Sequence, residues 1–110
     1  MHTGALGEFE QIVLLAIVQL GDSVYGASIV QEIRHRTGRH VAPAAVHITV
    51  RRLESRGLVT TWLGDPTPER GGKARRYVKV TRAGLETLRA GRKVIDQMWQ
   101  GLDPGLRRTR

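Results

Sequence analysis

Between Gln11 and Leu20 the chain places Ile12, Val13, Leu15, Ala16, Ile17 and Leu20, with Phe9 just upstream, over more than half of a helical wheel. A helix that apolar must be covered on two sides, because one packing partner hides only a stripe about 100° wide. The rest of the chain has to supply those covers, and it has 110 residues in all. That length fits one domain. An apolar share of 40% with 5% aromatic residues supports a compact core of modest thickness.

Gly21-Asp22-Ser23 interrupts the first helix, and Ser23 is placed to cap a second in which Tyr25, Ile29 and Ile33 recur one turn apart until Gly38. Pro43 suits the first turn of a third helix and Gly57 its end. Val46, Val50 and Leu53 then form a narrow inward stripe. The opposite face carries Ala44, His47, Ile48, Arg51 and Ser55, with Arg52 and Arg56 flanking. Leu58 to Leu63 and Arg75 to Val80 are rich in β-branched and aromatic residues, and Gly64 to Lys73 is dense in turn formers. This pattern predicts a two-stranded hairpin with a long basic tip, packed onto the helices by Trp62. Thr81 can cap a last helix whose Leu85, Leu88, Ile95, Trp99 and Leu102 keep the 3-4 spacing of a seam that wants a partner helix. The expected class is mostly α with a small β-hairpin. Three helices, a hairpin and a further helix follow the order of a winged helix-turn-helix. The expected division is a winged unit over 1–80, a C-terminal helix over 81–103 and a frayed basic tail over 104–110.

The formal charge is +8, from 18 basic and 10 acidic residues. Its distribution is uneven: Met1 to Val50 carries a net −1, Arg51 to Lys93 a net +8, and the remainder a net +1. A localised basic field predicts a polyanionic partner, because neutralising phosphates releases condensed counterions. An α-helix enters the major groove, about 12 Å wide, when its outward residues are small or end in donors that reach base edges. The third helix fits. Arg51 is suited to guanine O6 and N7, and Ala44 or Ile48 to a thymine methyl; His47 is either a neutral hydrogen-bonding contact or a pH sensor. Arg52 contacts DNA or else pairs with groups near Glu54 or on the hairpin. At the hairpin tip Arg70, Lys73 and Arg75 suit phosphates or a narrow minor groove.

Other chemistries find no support. The absence of cysteine excludes disulfides, thiolate catalysis and cysteine-ligated metals. His2, His35, His40 and His47 lack a metal-ligand spacing, so no metal is expected. Gly71-Gly72-Lys73 misses the first glycine and the final Ser or Thr of a phosphate loop, and Ser23, Ser28 and Ser55 sit in no nucleophile turn, so neither a cofactor nor an enzyme is expected. The longest apolar run, Ile12 to Val18, is far short of the ~20 residues of a membrane span, and the N-terminus has no signal-type pattern, so no membrane attachment and a cytoplasmic location are expected.

Gly7-Glu8-Phe9-Glu10, Tyr25-Gly26, the run Ala45 to Val59, Arg75-Arg76-Tyr77 and Thr81-Arg82-Ala83-Gly84, in that order and spacing, resemble the PadR family of bacterial transcriptional regulators. The resemblance spans Leu6 to Met98. It implies a homodimeric repressor of the short form, binding an inverted-repeat operator in double-stranded DNA through a winged helix-turn-helix. It also implies dimerisation through the C-terminal helix, with Phe9, Leu85, Leu88, Ile95, Trp99 and Leu102 at the interface. Some members hold a flat aromatic effector between tryptophans there, which would place Trp99, helped by Asp96, in an effector pocket. His47 stands where family members usually carry tyrosine, and Ala42 where a serine or threonine usually precedes the recognition helix. The competing reading is a protein-interaction module on the same fold that binds no DNA.

Overall fold

The computed structural model describes residues 5–64 and 74–102. In chain order they form α1 (Glu8–Leu20), β1 (Val24–Tyr25), α2 (Gly26–Thr37), α3 (Pro43–Ser55), β2 (Val59–Leu63), β3 (Arg76–Val80) and α4 (Arg82–Trp99). The hairpin-tip residues Arg70 and Lys73 and the tail over 104–110 lie outside the described residues.

Helix α1 starts where Glu10 folds back and its Oε1 accepts from the Gly7 backbone N–H at 2.9 Å, satisfying a donor the helix itself leaves free. Val13, Leu14, Ala16 and Ile17 are buried, and α2, α3, β3 and α4 all pack against this helix. Its wide apolar arc is thus covered from several directions. Leu15 and Val18 escape that cover.

The second helix begins later than its sequence suggests. Ser23 caps nothing: its backbone is left-handed, with φ 59°. Val24 and Tyr25 instead form β1, antiparallel to β3 with Val24 opposite Val78 and Tyr25 opposite Tyr77. The β-branched and aromatic pair occupies what would be an open edge of the hairpin. The sheet therefore has three strands, in the order β1-β3-β2. Ser28 secures the start of α2, its Oγ accepting from Tyr25 N–H at 3.0 Å and donating to Tyr25 C=O at 2.7 Å. Gly38 ends the helix with φ 75°, and Arg34, His35 and Arg36 in the last turn suit its negative end.

Strands β2 and β3 pair from Val59 opposite Val80 to Leu63 opposite Arg76. Trp62 does not pack the hairpin onto the helices. Val59 faces the core, and strand alternation sends Trp62 to the other side of the sheet, where it remains 44% exposed. There its ring lies 6.0 Å from that of Tyr77, which meets Tyr25 edge-on at 6.1 Å. Tyr77 also explains Gly64, since a Cβ at that position would lie 2.2 Å from the Tyr77 ring.

Helix α4 is fastened to the turn after α3. Thr81 Oγ1 accepts from Gly84 N–H at 3.1 Å and donates to Gly57 C=O at 2.7 Å. A Cβ on Gly84 would stand 2.3 Å from the Leu58 carbonyl oxygen, so only glycine permits this approach. Leu88 joins the core and Leu85 is half-buried, while Phe9 packs against the same core from α1. The helix stops at Trp99, and Gly101 turns the chain with φ 86°. Leu102 thus lies past the end of the helix rather than continuing its stripe, because the glycine is left-handed one residue earlier.

Candidate nucleic-acid interface

Helix α3 is held by one face and open on the other. Pro43 occupies its first turn, where a missing N–H costs nothing, and Ala42 at the N-cap offers no side-chain acceptor. Val46 and Leu53 are buried as the spacing predicts, with Thr49 buried beside them and Val50 only half-buried. At its far end Gly57 turns with φ 76°, Leu58 N–H donates to Leu53 C=O at 2.9 Å, and Arg56 lies 3.8 Å from Glu10 of α1.

The outward residues Ala44, His47, Ile48, Arg51, Arg52 and Ser55 are all exposed. Ile48 is 51% exposed, a large apolar side chain in the open on an otherwise polar face. Neither Arg51 nor Arg52 has an ion-pair partner among the described residues. The carboxylate nearest in sequence is engaged elsewhere: Glu54 Oε2 accepts from Thr61 Oγ1 of β2 at 2.7 Å, and Thr61 in turn accepts from Arg76 Nη1 of β3 at 3.1 Å. This relay ties α3 to the hairpin, and nothing in the spacing of Glu54, Thr61 and Arg76 announces it.

Arg75 sits at the base of the wing, its Cζ 4.1 Å from the centre of the Tyr25 ring. It lines a crevice together with His47 of α3, so residues from the helix and from the hairpin base do meet in one place. Leu15 and Val18 of α1 line a groove with Leu85, Leu88 and Ile95 of α4, on the outer side of the molecule. Ile95 and Trp99 are each 52% exposed, and Asp96 lies 3.3 Å from Arg92. Leu15 and Val18 belong to this exposed surface although the sequence marks them only as helix residues. Among the described residues no helix is long and apolar enough to cross a membrane, and no group of three His, Asp or Glu is placed to hold a metal.

The family model of the PadR-like transcriptional regulators matches residues 14–90. The chain belongs to that family. Its members are DNA-binding regulators rather than enzymes. A PadR family transcriptional regulator from Eggerthella lenta is 27% identical, with a TM-score of 0.67 over 86% of this chain and 81% of that one. A transcriptional regulator from Clostridium thermocellum is 22% identical, with a TM-score of 0.68 over 83% and 85%. A winged-helix DNA-binding protein from STIV shares the fold at 11% identity, with a TM-score of 0.69 over 89% and 98%. No curated protein matches. In this PadR-like regulator α2 and α3 form the helix-turn-helix, and β2 and β3 form the wing.

Proposed function

We propose that this PadR-like regulator is a cytoplasmic homodimer that represses transcription by occupying an inverted-repeat operator. Each subunit lays α3 in a major groove, with Ala44 and Ile48 against thymine methyls and Arg51 on guanine O6 and N7. His47 and Arg52 take neighbouring edges or phosphates, and Arg70, Lys73 and Arg75 follow the flanking backbone. The observation that carries this reading is the outward face of α3, where small side chains, Ile48 and two arginines without an acidic partner among the described residues stand on a helix anchored by its opposite face. Such guanidinium groups exchange water for phosphate oxygens at little cost, and counterion release adds to the gain.

Pairing rests on a second observation, the exposed apolar surface of Leu15, Val18, Ile95 and Trp99. Two-fold contact along α4 buries it, with Leu102 extending the contact and Phe9, Leu85 and Leu88 shaping it from the core side. Residues 1–80 then form the reading unit and 81–103 the pairing helix. A flat aromatic effector fits the same seam, between the Trp99 rings of two subunits and near Asp96. The symmetry requires half-sites about 34–36 Å apart.

Anisotropy titrations of duplex at several salt concentrations test the reading. Each phosphate contact contributes a slope of about −0.9 in log affinity against log salt, so a two-fold complex should fall steeply. Selection from random duplexes should recover a palindrome, and light scattering should give twice the subunit mass. A flat salt response would favour the protein-interaction module instead.

A further inference from the structure

A crevice of about 530 Å³ lies between the start of α2, the edge of α3 and the base of the wing. Its accessible walls are largely apolar, with Ala27 and Val30 from α2 and Pro43 and Val50 from α3, over core residues Ile29, Val46 and Val78 that are closed to solvent. Among the described lining residues there is no Asp or Glu, whereas Arg75 and Arg76 both contribute. The two arginines are not equivalent. Arg76 is answered by Glu54 through the Thr61 hydroxyl. Arg75 has no carboxylate among the described residues; the Tyr25 ring holds it, and its Nε is closed off from solvent with no hydrogen-bond partner. A partly buried guanidinium with an unmet donor is a standing demand for an acceptor.

Apolar walls beside a guanidinium with no carboxylate among the described residues select a ligand with an anionic head and an apolar body. The aromatic face at the rim is already covered by Arg75, so the body meets aliphatic groups. The volume falls within the roughly 300–1,000 Å³ of small-molecule sites. We propose that this crevice binds a medium-chain aliphatic carboxylate, its head on Arg75 and its tail over Val30, Val50 and Pro43. His47 lines the crevice from the recognition helix. An occupied crevice therefore weakens duplex binding, a consequence that rests on the DNA reading proposed above.

Octanoate titrated into the intact protein without DNA, followed by methyl NMR, tests the site. Shifts should concentrate on Val30 and Val50, with smaller ones at Ile29, Val46 and Val78 beneath them. The uncharged analogue 1-octanol should bind at least about tenfold more weakly, and Arg75→Leu should lose octanoate affinity by a similar factor. Val50→Trp, which fills the crevice and leaves Arg75 in place, should also lose it, and so serves if Arg75→Leu fails to fold. Equal affinity for octanol, full affinity in both variants, absence of binding, or shifts confined to Leu15, Val18 and Ile95 would each overturn the proposal. Duplex anisotropy with octanoate present then separates the two readings. Weaker duplex binding in the wild type but not in Val50→Trp supports antagonism, and unchanged duplex binding by octanoate-loaded protein overturns it. A protein that takes up octanoate but binds no duplex refutes the DNA reading alone.

Discussion

The outward face of α3 and the outer face shared by α1 and α4 are both open in the subunit, but they are open for opposite reasons. On α3 the exposed groups are mostly small or polar, with Ile48 as the large apolar exception, and Arg51 and Arg52 are fully content in water. On α1 and α4 the exposed groups are Leu15, Val18, Val94, Ile95, Met98 and Trp99, which water does not favour. The first face can wait for its partner at little cost. The second cannot, because the half of each large apolar side chain left uncovered forgoes about 1 kcal/mol. The contrast separates a reversible contact from a standing one. Under the proposed function the reversible contact falls to α3 and the standing cover to α4.

The strongest way to break this contrast is Ile95→Glu with Trp99→Glu. Four side chains are changed across a two-fold contact, so pairing should weaken by roughly 4 kcal/mol or more. Light scattering should then report single subunits that remain folded by circular dichroism; an unchanged mass would show that these residues face nothing. Gly84→Ala comes next. Its new methyl meets backbone rather than a flexible side chain, and a loss of about 3 kcal/mol in chemical unfolding is expected. Arg51→Ala should cost about 1–3 kcal/mol on the operator and relax preference at one base position, with little effect on random duplex. Equal losses on both duplexes would demote Arg51 to a phosphate contact. Thr61→Val breaks the relay between Glu54 and Arg76 and should cost about 1 kcal/mol of stability. Smallest of all, Arg52→Ala should leave specificity intact and flatten the salt slope by roughly one unit.

The order of the helices was legible because each boundary carries a residue whose backbone chemistry forces the issue. Pro43 starts α3, Gly38 and Gly57 take the left-handed turns, and Thr81 caps α4 with its own hydroxyl. Strand β1 was not legible. Two residues show no alternation, and their partners Val78 and Tyr77 lie far downstream. The same long-range pairing hides the Arg75–Tyr25 stack, since it exists only once β1 joins β3. Trp62 misleads for a different reason: a large aromatic residue suggests the core, while strand alternation from the buried Val59 decides its side. On α1 the helical wheel reveals that the apolar arc is wide, but which part stays bare depends on where α4 docks. The outward residues of α3 were readable as a face from period alone. Whether Arg52 is engaged was not, because Glu54 spends its carboxylate on a threonine of the next element.

The glycine-tight seat of α4 against the carbonyl of Leu58 also sets a mechanical relation. An 18-residue rod, about 27 Å long, leaves the exit of the recognition helix with no slack at its root. Any tilt imposed at the Trp99 end is therefore delivered to α3 as a lever delivers torque. In the dimer proposed above, that lever would measure the separation of the two binding steps along DNA, and inserting even one base pair between the operator halves should be felt as strain at Gly84.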